Sequence, residues 1–287
     1  MGFALIAETL PYGTQRLQFG DLVRPVDAKG NAVPCRGVAV LIHGGFWRAA
    51  YSRELMVQLA EDLVGRGLAV WNVEYRSVGS GGGYPMTFED IAGAVDWLAS
   101  AEAAERGVGS VNMEGVAGEK SVPYALIGHS AGGHLAAWAG LRCLLGDGEV
   151  LPRGLRGSKV AAPRAVIAQA GVVDLCKAYE EQLGLGIVRE FLGSVPQDME
   201  SRKRAALRGG FLDPLATPAA DAVERYEASD PTALARAAPD GVFCQAGAPL
   251  FGLVHGTEDS NVPMSQSLSF AEALKVAGAG EKVRLYT

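Results

Sequence analysis

A serine flanked by small residues stands at Gly128-His129-Ser130-Ala131-Gly132, between a short apolar run and a longer amphipathic segment. A G-x-S-x-G pattern between a strand and a helix makes a turn so tight that small residues are needed on either side of it. Such a turn leaves the Ser130 hydroxyl exposed above a sheet, beside a helix N-terminus. It also directs the Ala131 N–H at a developing oxyanion. In a chain with 38 glycines the pattern can arise by chance. The strand and helix expected on its two sides are what argue against chance.

Two further clusters could serve the same chemistry. His43-Gly44-Gly45-Phe46-Trp47 follows a buried apolar run, and consecutive glycines let backbone N–H groups come close to a reacting carbonyl. Preorganised donors of that kind contribute about 3 kcal/mol or more to a transition state. The plainer reading is a Gly-Gly turn between strand and helix, with His43 a hydrogen-bonding loop residue. His255-Gly256-Thr257-Glu258-Asp259 follows another apolar run late in the chain. A carboxylate there, at a strand's C-terminal end, is the expected orienting acid for a histidine. Asp259 could instead only cap its turn. Glu258 is the neighbouring carboxylate and Asp174 the fallback acid.

The elements that must position these residues alternate in kind. Runs at 37–42, 68–73, 124–127, 165–168, 249–254 and 282–286 are apolar or β-branched, as strands buried on both faces should be. Helical spacing marks 52–64, 87–100, 132–145 and 265–277. The alternation predicts an α/β fold, a mostly parallel twisted sheet with helices on both faces. Residues 105–121 are Gly-rich and aperiodic and read as a surface insertion, 152–163 as a second polar loop, and 185–236 as short helical pieces. With no internal repeat or separating linker, 1–287 reads as one domain.

The chain resembles the α/β-hydrolase superfamily, in particular its esterase/lipase and kynurenine-formamidase-like branch. The residues that carry the resemblance run from Tyr12-Gly13 and Gln18-Phe-Gly-Asp-Leu22 through His43-Gly-Gly-Phe-Trp47 and Asn72-Val-Glu-Tyr-Arg76. They continue through Gly128-His-Ser-Ala-Gly-Gly-His-Leu135 and Ser229-Asp-Pro231 to His255–Asp259. The resemblance implies Ser130 as nucleophile, Asp259 as acid, and Gly44, Gly45 and Ala131 as oxyanion donors. Phe46 and Trp47 would wall the acyl or aromatic pocket. The implied reaction is hydrolysis of a small carboxylic ester or arylformamide through an acyl-enzyme, with no metal or organic cofactor.

One component departs from the pattern. Such enzymes carry their histidine in the loop after the last strand, whereas His43, His129, His134 and His255 all precede Asp259. The expectation is a chain truncated after its last strand and, in this form, a poor catalyst. The reading from a different class is an inactive member that binds a ligand or partner through the same pocket. A net charge of −6 with no clustered Lys and Arg argues against nucleic acid. No apolar stretch approaches the ~18 residues that span a bilayer. Four scattered cysteines and no leader pattern lead one to expect a cytoplasmic protein.

Overall fold

The computed structural model describes residues 4–109, 122–148, 150–194 and 221–287. Eight strands form one sheet in the order β1-β2-β4-β3-β5-β6-β7-β8. They are β1 (Ala4–Pro11), β2 (Phe19–Val26), β3 (Val38–Ile42), β4 (Ala69–Val73), β5 (Tyr124–His129), β6 (Ala165–Gln169), β7 (Leu250–Val254) and β8 (Val283–Tyr286). From β4 to β8 every neighbouring pair is parallel, while β1 pairs with β2, and β2 with β4, antiparallel.

The six parallel strands fall where the apolar runs placed them. β1 and β2 were not foreseen, because an antiparallel pair at a sheet edge is wet on one side. Asp21, Arg24 and Pro25 interrupt β2, and β1 leaves Leu5 and Ile6 exposed.

Among the described residues the α-helices are α1 (Val57–Gly65), α2 (Met86–Asp96), α3 (Ala101–Glu105), α4 (Ala131–Leu145), α5 (Leu175–Glu180), α6 (Ile187–Leu192), α7 (Ala222–Ser229), α8 (Pro231–Ala237) and α9 (Ser265–Leu274). A 3₁₀ turn precedes α1, another follows α2, and a π-helical turn extends α9, so α1 begins later, and α2 and α9 end earlier, than their apolar spacing suggests. Most of the Gly-rich stretch, 110–121, and residues 195–220 of the 185–236 region lie outside the described residues.

Side chains alternate across each strand. Val38, Val40 and Ile42 of β3 join the larger core cluster with residues of α2 and α4, while Ala39 and Leu41 face Ala60 and Val64 of α1. Helices thus cover both faces. The central helix α4 is buried from Ala131 to Cys143, and it reads apolar all round because it lies between the sheet and other helices. A Cβ at Gly140 would stand 2.3 Å from the Val166 side chain, so the glycine lets α4 lie directly on β6. Arg142 crosses from α4 to Asp96, with N···O 2.8 Å, and also donates to the Leu155 and Gly157 carbonyls. Among the described residues no helix is long and apolar enough to cross a membrane.

Candidate active site

β5 ends at His129, α4 begins at Ala131, and Ser130 between them has φ 55° and ψ −119°. That lies far from the left-handed helical well that non-glycine residues visit at positive φ. The surroundings impose it: the Ser130 N–H donates to the Gln169 carbonyl at 2.8 Å, and the Ser130 carbonyl accepts from His134 at 3.1 Å and Val172 at 3.3 Å. The flanking glycines are required. A Cβ on Gly128 would lie 2.0 Å from the Gly132 oxygen, and one on Gly132 2.0 Å from the Ile42 oxygen. Among the described residues none hydrogen-bonds the Ser130 hydroxyl. Ala131 opens α4, where an N–H has no acceptor inside the helix.

The glycine loop after β3 meets this turn. A Cβ on Gly44 would stand 3.1 Å from Ser130 Cβ and 2.7 Å from the His129 oxygen, so no larger residue would let the loop approach so closely. Gly45 has φ 105° and lies under the Tyr51 ring, which occupies the space of any side chain at 45. Phe46 and Trp47 both have φ 52°. Phe46 is half-buried beside Gly184, but Trp47, expected in the pocket wall, is only 1% exposed. Its indole stacks on Phe191 at 4.4 Å and meets His134 edge-on at 5.1 Å. Trp47 is therefore a core residue that holds the loop from below, and Phe46 is the one left at the surface.

Each histidine has a place. His43 Nδ1 faces the Gly44 carbonyl at 2.8 Å and Nε2 the Glu74 carboxylate at 3.1 Å, while the ring stacks on Tyr75 at 4.3 Å. Burial works to raise the Glu74 pKa. The His43 hydrogen bond and charge, with the Tyr75 and Arg53 N–H groups, outweigh it and hold the carboxyl below its usual range. His134 sits one helical turn behind Ser130, fully buried, with Nε2 2.8 Å from the Ser229 carbonyl. Burial pushes its pKa down to about 4, against the Ser229 carbonyl, so the neutral ring donates through Nε2. His255 is pinned between Ser267 Oγ and the Val262 carbonyl, both at 2.7 Å. His129 is exposed at the end of β5.

The candidate acids separate as well. Asp259 lies just past β7, where its Oδ1 accepts from the Asn261 and Val262 N–H groups at 2.9 and 3.0 Å. It does cap its turn, which leaves Oδ2 as its other acceptor, 3.9 Å from His255 Nε2. Glu258 is exposed. Asp174 is buried and caps α5 through the Lys177 N–H at 2.9 Å. Close to it, Asp230 accepts from Leu175, Thr232 and Ala233 N–H groups. Burial, and then the Asp174 charge, push the Asp230 pKa up to about 7. Among the described residues no group of three or more His, Cys, Asp or Glu side chains is disposed to hold a metal ion.

The BD-FAE family model matches residues 21–274. The chain belongs to the BD-FAE family. Its fold is the α/β-hydrolase fold. It is 25% identical over 291 residues to an isoprenylcysteine alpha-carbonyl methylesterase of Arabidopsis thaliana, covering 98% of this chain and 55% of that protein. To a probable isoprenylcysteine alpha-carbonyl methylesterase of rice, Oryza sativa subsp. japonica, it is 24% identical, covering 98% and 56%. The chain thus spans about half the length of the curated relatives it matches. Esterase B of Lactobacillus rhamnosis superposes with a TM-score of 0.68 at 18% identity, covering 98% of this chain and 74% of that one. Esterase 2 of Thermogutta terrifontis gives 0.60 at 22%, covering 98% and 80%. At such identities these solved structures speak for the fold.

In this BD-FAE chain some supporting residues escaped the sequence reading. Glu74 and Tyr75 lie in the Asn72–Arg76 stretch, yet nothing in the residue types there shows that they hold His43. Tyr75 Oη donates to the His43 carbonyl at 2.9 Å. Tyr51, over Gly45, carries no sequence signal at all.

Proposed function

We propose that this BD-FAE chain is the catalytic part of an esterase-type serine hydrolase with Ser130 as nucleophile. The observation that carries the reading is the strained Ser130, held at a helix N-terminus with Gly44 against its Cβ. Ser130 Oγ attacks the carbonyl carbon of a small carboxylic ester or arylformamide and gives its proton to a base. The negative oxygen is held by N–H groups of Gly44, Gly45 and Ala131. Collapse expels the alcohol or amine, which takes up that proton, and water then hydrolyses the acyl-enzyme and restores Ser130. The methylesterase relatives favour an ester over a formamide.

The base is a histidine supplied from outside these 287 residues, oriented by Asp259 through Oδ2. The support is that the ring nitrogens of His43 and His255 are engaged elsewhere and His134 is sealed behind the elbow, while the exposed His129 lies in the elbow itself with its Nδ1 on the Gly44 side. The same observation favours a second reading, an inactive member that binds a ligand in this site.

The test is fluorophosphonate labelling of the protein isolated from its source, with its intact mass measured. Labelling that disappears in Ser130→Ala, in a protein carrying a histidine beyond position 287, is the expected result. No labelling of the source protein would refute the hydrolase and leave the binding reading.

A further inference from the structure

Leu185 is 91% exposed, more than any other large hydrophobic side chain among the described residues. It also has φ 61°, a left-handed conformation that costs a leucine free energy. It is not a loose tip. Gln182, Gly184 and Gly186 share positive φ at 55°, 58° and 79°, and the buried side chains of Leu183 and Ile187 anchor the segment on both sides. Arg48 donates to the Gly184 carbonyl at 3.2 Å. The core therefore holds the backbone in a shape that thrusts Leu185 outward, where its side chain packs on almost nothing. Strain of this kind persists only where the surroundings over-determine it, and it clusters at ligand sites.

The position of Leu185 says which site. A Cβ on Gly184 would be 2.5 Å from Phe46 Cδ1, so the residue before Leu185 packs directly against the Phe46 ring. Phe46 follows Gly44 by two residues, and Gly44 abuts Ser130. Tyr51, 46% exposed, covers Gly45 on the same loop.

The geometry points to Leu185 as a specificity-determining residue that, with Phe46, forms a subsite for an apolar alkyl or aryl group of the substrate. This rests on the reading of Ser130 as the reacting residue and adds what lies next to it. A bound apolar group would take Leu185 out of water, which the folded chain alone does not do.

The test uses Ser130→Ala protein, so that nothing turns over, and isothermal titration calorimetry with N-methyloctanamide and N-methylacetamide. Adding Leu185→Ala is expected to weaken the octanamide about tenfold, as loss of a covered leucine side chain implies, and to leave the acetamide unchanged. Leu185→Gly should lose the same affinity while melting at a higher temperature, because it releases the backbone strain. A purely structural Leu185 would not couple affinity to ligand chain length. Equal octanamide affinity in parent and variants, or no preference for octanamide in the parent, overturns the subsite. Absent fluorophosphonate labelling together with intact chain-length dependence would refute the hydrolase reading alone and support the subsite.

Discussion

Replacing the candidate nucleophile with glycine should stabilise the protein. Ser130 holds φ 55° and ψ −119°. The mirror image of that pair is an extended conformation that any residue adopts, and glycine, which is achiral, takes either equally well. For an L-residue the strain is about 1–3 kcal/mol. Glycine gives back about 0.5–1 kcal/mol through the greater freedom of its unfolded chain. Ser130→Gly should therefore exceed Ser130→Ala by about 0.5–2 kcal/mol, since alanine keeps the strain and also lacks the hydroxyl. The backbone hydrogen bonds to Gln169, Val172 and His134 are available to both variants. At about 2–4 °C per kcal/mol for large domains, the difference is a few degrees in a thermal scan, and urea titration of the same pair gives it as free energy. Both variants lose any labelling at 130, so activity does not confuse the comparison. A Ser130→Gly protein no more stable than Ser130→Ala would refute the claim that the fold stores strain at this turn.

Gly132→Ala should cost about 1–3 kcal/mol as an overpacked position, because its Cβ would lie 2.0 Å from the Ile42 oxygen and 2.5 Å from the His43 oxygen. Gly65→Ala, with open space around its Cβ, is the control and should be neutral or stabilising by about 0.5–1 kcal/mol. Denaturant midpoints decide, and matching losses at the two sites would sink the steric account. The second expectation concerns pH. Asp230 keeps its proton up to about pH 7 when folded, while the unfolded chain releases it near 3.8. The unfolded state then binds fewer protons over that window, so this group makes stability fall as pH rises from about 4 to 7 and level off above. His134 acts in the opposite sense: its lowered pKa of about 4 means stability present above 6.5 is lost as pH falls towards 4. Only a difference isolates the carboxylate. Asp174→Asn removes the neighbouring charge and should reduce the fall between pH 4 and 7 relative to the parent, measured by urea unfolding. Parallel curves would mean that the Asp174 charge does not act on Asp230.

What could be read from the sequence was local. The Ser130 turn and the Gly44-Gly45 loop are legible because their chemistry is backbone geometry, and backbone geometry at a tight turn dictates glycine within a few residues. The parallel strands were legible because burial on both faces leaves a continuous apolar run. β1 and β2 were not, since one wet face admits Asp21 and Arg24. Trp47 was misplaced for a related reason: an aromatic next to a candidate pocket reads the same whether its ring turns outward or inward. The packing of Phe191 and His134, more than 80 residues away in sequence, settles that direction.

The histidines show why the acid and base are harder to read than the nucleophile. A triad joins distant chain segments, and a histidine's residue type does not reveal where its nitrogens are committed. Here three histidines tie the site's own backbone together. His43 bridges the glycine loop to Glu74, His134 fixes the start of α4 to the Ser229 carbonyl, and His255 closes the turn that Asp259 caps. Each stabilises the frame by spending both or one of its nitrogens on a fixed partner. A general base must instead keep one nitrogen facing the hydroxyl whose proton it takes. The more firmly these rings hold the frame, the less they can serve Ser130 as a base.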